Sequence, residues 1–373
     1  MKYLKPSSFI AAALTIAACG GGGNATPATT VAETSPPPTD KAANKPASTS
    51  TTAKSTSTTS SGSTSSTATT IAPDPVMPLT GLPITDPAIA ARPAVVVKVS
   101  NDPGARPQSG LEFADIVFEA WGAGPTRFAT VFQSKDAPKV GPIRSARTQD
   151  VDLVGSFNGA VFACSGGNNG AIAAIRGSDL LVLTESQGPG WFLDKNRRRP
   201  HATFNDTASL RSNAAPDRPG PAVQFKYRAA GAAATGQSSS GFKLHIEAVN
   251  AQWNFDASSN MYQRSQDGHP HVLANGVRVA FNNVIVLWID YGHSPADGRS
   301  PDGGTIGSGD AVVFTNGKQI PAHWTRSDRL HPISLADASG NPILLTPGTT
   351  WFELANSGKG TFPGTDELQI SAG

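Results

Sequence analysis

Cysteine is nearly absent from this chain, with two in 373 residues. Cys19 and Cys164 cannot build a disulfide framework, and so few thiols exclude a Cys-based zinc site. Charge is scarce as well. Charged residues make up 16% and the formal net charge is +2 with histidine neutral. That balance lacks the basic surplus by which nucleic-acid-binding domains are read, so no nucleic acid is expected as a partner. Long apolar runs are missing too. The run Phe9 to Ala18 falls well short of the roughly 20 residues a membrane helix needs. There is no Walker loop and no HExxH, and Cys164-Ser165-Gly166-Gly167 is not a G-x-S-x-G elbow. The acidic loop with Asp290, Asp297 and Asp302 lacks EF-hand spacing. No metal or other cofactor is expected.

What is present begins at the N-terminus. Lys2 and Lys5 precede the short apolar run, which stops at Ile16-Ala17-Ala18-Cys19. Charged start, brief apolar core and small residues at the cut describe a signal peptide over residues 1–18. Small residues before a cysteine resemble the lipobox of secreted bacterial lipoproteins. That resemblance implies cleavage before Cys19 and a diacylglyceryl anchor on its sulfur. The expected location is the extracytoplasmic face of the cell membrane. Residues 19–75 are mostly Ser, Thr, Ala, Pro and Gly, with "STSTTSSGSTSST" near the centre. This composition buries too little apolar surface to offset the entropy of ordering, so it reads as a disordered tether. Cys164, in "AVFACSGG", reads as a buried, inert thiol.

About 300 residues remain, a length suited to two domains. The small, polar stretch 229–241 reads as a linker between residues 76–228 and 242–373. In the first part "AVVVKVS" is a buried strand, and "ADIVFEAW" and "TRFATVFQ" form a hairpin across "GAGPT". Val151, Val154 and Phe157 recur at helical spacing, with Thr148 as N-cap and Asp150 and Asp152 in the first turn. "AVFACSG" and "DLLVLTE" read as strands, "NNGAIAAIRG" as a helix, "DTASLRSN" as a helix capped by Asp206, and "AVQFKYRA" as a closing strand. The second part alternates as strands do in "FKLHIEAV", and Asn316-Gly317 marks a type I′ hairpin. The expected fold class is α+β. An N-terminal mixed α/β sandwich domain is followed by a mainly antiparallel β domain.

Basic residues recur in loops of the first part: Arg106, Arg127, Arg144, Arg147, the triplet Arg197 to Arg199, and His201. If Thr148 caps a helix, its first-turn N–H groups point at the loop holding Arg144 and Arg147. Two guanidinium forks beside a helix N-terminus suit phosphate or carboxylate. The alternative is internal pairing with Asp102, Glu112, Asp115, Glu119, Asp150 or Asp152, and Arg127 opposite Glu119 across the hairpin is one such pair. The triplet reads as a solvated loop. His269 and His271 fall on one face of a strand, with a surface turn favoured over a metal site.

The segments "PLTGLPI", "NDPGARPQSGLEFADIVFEA", "TRFATVFQS", "VGPIRSAR" and "RRPHATF", followed by "YQRSQDGHPHV", "NNVIVLWIDY", "GSGDAVVFTNGKQIPAHWTR" and "TPGTTWFELA", resemble the YerB-like bacterial lipoproteins. That is a two-part family of unknown function. The likeness runs from about Leu79 to about Asn356. It implies an extracytoplasmic lipoprotein with a mixed α/β part and a β part, and it implies no reaction. Where the family often has Asn after "PH", this chain has Ala202. The order "ADIVFEA", "RFATVFQ", "GPIRSAR" also resembles envelope phosphotransferases of the LytR-CpsA-Psr type. Two functions follow as expectations. The first is a non-catalytic, membrane-anchored lipoprotein binding an anionic envelope ligand (a glycopolymer or lipid phosphate) or a partner protein, through Arg144, Arg147, Arg106, Arg127 and His201. The alternative is a phosphotransferase-like enzyme on a lipid-pyrophosphate-linked glycan, with Asp115 as base or metal ligand.

Overall fold

The computed structural model describes residues 75–185 and 187–373. The signal peptide, the lipobox at Cys19 and the tether lie outside the described residues. No described helix is long and apolar enough to cross a membrane.

Among the described residues there are four short α-helices: α1 (Pro87–Ala91), α2 (Asp150–Leu153), α3 (Asn169–Arg176) and α4 (Thr207–Arg211). The main strands of the first part are β1 (Val95–Ser100), β2 (Ile116–Ala120), β3 (Arg127–Phe132), β4 (Val161–Cys164) and β5 (Leu181–Thr184). The second part adds β6 (Gln237–Ile246), β7 (Val249–Asp256), β8 (Met261–Gln266), β9 (Asn283–Ile289), β10 (Gly307–Thr315), β11 (Lys318–Arg326), β12 (Thr350–Asn356) and β13 (Glu367–Ala372). The protein is therefore mostly β, within the α+β class.

One mixed sheet of sixteen strands runs in the order β8-β7-β6-β11-β10-β9-β12-β2-β3-β1-β4-β5, with β13 against β6 and three short strands at its margins. The pairs β9–β12, β12–β2, β1–β4 and β4–β5 are parallel. Strand β12, from the end of the chain, pairs with β2 in register from Thr350–Ile116 to Glu353–Glu119. The two parts thus share a sheet instead of forming a sandwich and a separate β domain. The central strands explain this. Every residue of β1, β2, β3 and β12 is buried, so each needs neighbours on both edges and cover on both faces. The stretch 229–241 is not linker throughout, since β6 begins at Gln237.

At β6 the sheet turns. Only Lys318–Ser238 and Gln319–Gln237 join it to β11. The leaf β6–β7–β8 then folds over the centre. Phe242 stacks on Phe314 at 4.1 Å, and Trp253 meets Trp351 edge-on at 5.3 Å. The alternating burial of β6 fits a strand with one wet face. The Asn316-Gly317 turn has φ of 51° and 68°, as a type I′ hairpin requires.

Two local expectations are corrected. "AVQFKYRA" is not a strand, because its backbone groups go to separate places: Gln224 N–H to Pro78 O and Arg228 N–H to Leu345 O. No ladder can form from such partners. Thr148 does not cap α2, whose N-cap is Gln149 without a side-chain bond. The Thr148 hydroxyl donates to Asp302 at 2.5 Å instead. Asp206 does cap α4, accepting from Ser209 N–H at 2.7 Å.

Candidate functional site

Strands β1 and β4 pair only over Val95–Val97 and Val161–Ala163. Beyond that they part, and the segment containing Arg144 enters the gap. Ser100 N–H donates to Pro142 O, Arg144 N–H to Lys98 O, Ser165 N–H to Arg144 O and Ala146 N–H to Gly166 O, all at 2.8–3.0 Å. The gap opens at the carboxyl ends of two parallel strands, the place where open α/β sheets hold ligands. Arg127 opens β3 directly opposite Ser100, so register brings it to the same end.

Arg127, Arg144 and Arg147 converge there. Arg127 is 9% exposed and its guanidinium donates to Ser145 O at 3.3 Å. Arg147 donates to Ala146 O and Gly122 O, both at 3.1 Å. Among the described residues neither has a carboxylate within 4.0 Å. Arg144 has one, with Asp102 at 3.6 Å from its Nε. The Nε atoms of Arg144 and Arg147 are buried without a hydrogen-bond partner. Burial, then the charges of Arg147 and Arg144, push the Arg127 pKa down to about 9, so it stays charged at neutral pH. Burial also lowers Arg147, against the pull of Asp150 and Asp297.

Below the arginines lies a closed pair. Lys98 Nζ donates to Asp150 at 2.8 Å, and both side chains are buried. The second Asp150 oxygen accepts from Arg147 N–H at 2.7 Å. The protein's own carboxylate therefore fills the position that was expected for an external anion at a helix N-terminus, and α2 has only four residues. Four cations, Lys98, Arg127, Arg144 and Arg147, face Asp102 and Asp150. Two positive charges are left without a close partner. The chemistry this allows is capture of an anion by forked N–H donors.

The other expected residues fall elsewhere. His201 flanks the cluster. Its ring packs on Gly104, where an added Cβ would stand 3.1 Å away. Burial lowers its pKa, Asp102 opposes that, and Arg144 and Arg197 add to it. Arg106 turns away and pairs with Asp267 at 3.3 Å, beside a groove of about 370 Å³ lined by Gln266, His269 and Pro270. Asp115 sits at the opposite end of β2 and cannot serve the arginines. It is buried and accepts from the backbone N–H groups of Gln133 and Ser134 and from the Ser134 hydroxyl. Glu119 does not pair with Arg127. The register sets it opposite Phe128, and it binds Arg264 at 2.8 Å. Arg197 is not solvated, since it donates to Ala105 O and Pro107 O. Cys164 is buried, and burial pushes its thiol up to about 11.

The sequence reading missed the Lys98–Asp150 pair, although a lone lysine inside "AVVVKVS" was its signal. It also missed a buried network. Arg264 donates to Glu119, to Gln266 at 2.6 Å and to His271 Nδ1 at 2.9 Å. Arginine is only a donor, so Nδ1 accepts. His271 Nε2 then carries the proton toward Gln108 at 3.0 Å, and Gln108 donates to Ser100 O at 3.0 Å. His271 is 4% exposed, so it does not lie in a surface turn.

The comparisons with known proteins bear on this site. Models of the N-terminal and C-terminal domains of a protein family of unknown function, DUF3048, match residues 79–220 and 242–352. The chain belongs to this family. Arg127, Arg144, Arg147 and His201 all lie in the N-terminal DUF3048 match, and Arg264 and His271 lie in the C-terminal one. A Bacillus subtilis (strain 168) protein named "Putative lipoprotein YerB" is 28% identical over 315 residues, covering 79% of this chain and 88% of that protein. The crystal structure of the Bacillus subtilis YerB protein is similar, with a TM-score of 0.66 and 26% identity. It covers 79% of this chain and all of that one.

Proposed function

We propose that this protein is a lipid-anchored lipoprotein of the cell envelope, held at the extracytoplasmic face through Cys19, and that it binds a phosphate-bearing anion at Arg127, Arg144 and Arg147. One observation carries the binding reading. Two of three converging guanidiniums lack a close carboxylate, and buried charge without a partner is costly. A dianionic phosphate would supply the missing countercharge and accept from the guanidinium forks. Lipid phosphates and phosphate-rich glycopolymers have this chemistry. The name of the Bacillus subtilis relative supports the anchor.

The test is a thermal-shift screen of residues 76–373 against pyrophosphate, polyprenyl pyrophosphate analogues, teichoic-acid fragments and muropeptides. A ligand at a hundred times its Kd raises stability by about 2.7 kcal/mol. The rise is expected in the wild type and not in Arg144→Ala/Arg147→Ala. Equal responses of the two proteins would remove the anion site and direct the search to protein partners.

A further inference from the structure

We propose that the ribbon of residues 191–204 is a membrane-contact element that docks on a bilayer bearing anionic lipid. Its strands Phe192–Leu193 and Thr203–Phe204 pair with each other in a two-stranded sheet of their own. Phe192 is 42% and Leu193 46% exposed. Successive residues of a strand point to opposite faces, so the ribbon shows apolar carbon on both. Water disfavours that arrangement, whereas a wedge entering the headgroup boundary uses it. Trp191 stands at the base, its indole N–H bound to Gln187 O at 2.6 Å.

The charge around the wedge is net positive, although Lys139 and Arg197 pair with Asp194 and Arg199 pairs with Glu185. Lys139, Lys195, Arg197, Arg198 and Arg199 surround it, against Asp194 and Glu185. Lys195, Arg198 and Arg199 are exposed. Exposed aromatic and aliphatic carbon ringed by cations matches an anionic bilayer surface, which offers hydrocarbon below and phosphate above. Arg197 ties the ribbon to the loop before Pro107. The return strand continues into the arginine site: Ile143 N–H donates to Thr203 O at 2.8 Å and Val140 N–H to Asn205 O at 2.8 Å, just before Arg144. Backbone hydrogen bonds thus join the ribbon directly to the segment that carries Arg144. The presence of a membrane rests on the lipid-anchor reading, while the ribbon's affinity does not.

The test uses the chain from residue 19 with Cys19→Ser, so that no acyl group contributes. Co-sedimentation is measured with phosphatidylcholine vesicles, with and without phosphatidylglycerol. The expected result is binding only with phosphatidylglycerol, weakened about ten-fold or more by Lys195→Gln/Arg198→Gln and also by Phe192→Ser/Leu193→Ser. These side chains are exposed, so both variants keep the wild-type Tm. Both also keep the response to pyrophosphate, so failure of the ribbon and failure of the arginine site read out separately. No binding to anionic vesicles overturns the proposal. So does binding that survives the Phe192/Leu193 change, because charge alone would then carry it. Capture of an acidic protein by the ribbon, with vesicles ignored, overturns it as well.

Discussion

Two clusters of buried charge, one around Arg264 and one around Arg127, Arg144 and Arg147, differ in one respect. Around Arg264 the charges close on themselves. Arg264 meets Glu119, Gln266 and His271, and Trp253 donates to Glu353 at 2.8 Å. Burial, then the Glu119 charge, push the Glu353 carboxyl well above the usual carboxylate range, and Glu119 is the carboxylate that Arg264 meets at 2.8 Å. Around Arg127, Arg144 and Arg147 the charges do not close. Arginine content cannot separate the two clusters, and neither does a buried unpartnered Nε, which Arg264 shares with Arg144 and Arg147; the separation lies in whether each guanidinium has a close carboxylate, as Arg264 has in Glu119 at 2.8 Å. The first cluster is internal structure joining β2, β8 and β12. The second is held open.

Breaking the closed cluster gives the largest effect. Arg264→Met leaves Glu119 buried without a cation and is expected to cost about 3–5 kcal/mol in urea unfolding. A loss under about 1 kcal/mol would mean the network is not closed as described.

A pH effect comes next. His271 is buried neutral, its pKa pushed well below 6.5 by burial and then by Arg264, Arg106 and Arg278. The unfolded chain binds its proton near pH 6.5 and the folded chain does not. Stability is therefore fully present above about 6.5 and falls as pH drops below it, by about 2 kcal/mol between pH 7 and 5. His271→Gln should flatten that slope in unfolding curves across the same range. An unchanged slope would assign the acid loss to other groups.

The open cluster should respond with the opposite sign. Arg127→Met removes a buried cation that its neighbours repel. Stability is expected to stay level or to rise by up to about 1 kcal/mol, while pyrophosphate affinity falls about ten-fold. A large loss of stability would mark Arg127 as a strut. The smallest effect belongs to the surface. Arg199 is 62% exposed beside Glu185, and Arg199→Ala should move stability by less than about 0.5 kcal/mol in the same assay.

Much of the framework was legible in the residues. A nearly continuous β-branched run gave β1, an apolar run gave β4, alternation gave β6, and Asn316-Gly317 gave the β10–β11 turn. The grouping of Arg144 with Arg147 followed from spacing. Other parts depend on partners far apart in the chain. Glu119 and Arg264 are 145 residues apart, and β12 reaches β2 across more than half of the folded region. Local pattern carries no trace of either pairing. Thr148 had the right residue type for a cap, yet Asp302 claims its hydroxyl from 154 residues away. Arg106 looked like Arg144 in its glycine- and proline-rich setting, and only the turn of its loop toward Asp267 separates them.

The account rests on Arg144 and Arg147 presenting free donors to an anion. The most direct measurement is the ¹⁵N–¹H spectrum of arginine Nε groups during a pyrophosphate titration, assigned by single Arg→Lys variants. The Arg144 and Arg147 Nε resonances should move together and saturate, while those of Arg211 and Arg264 stay fixed. Movement confined to exposed Arg198 and Arg199, linear and without saturation, would contradict the claim and leave the cluster as internal structure.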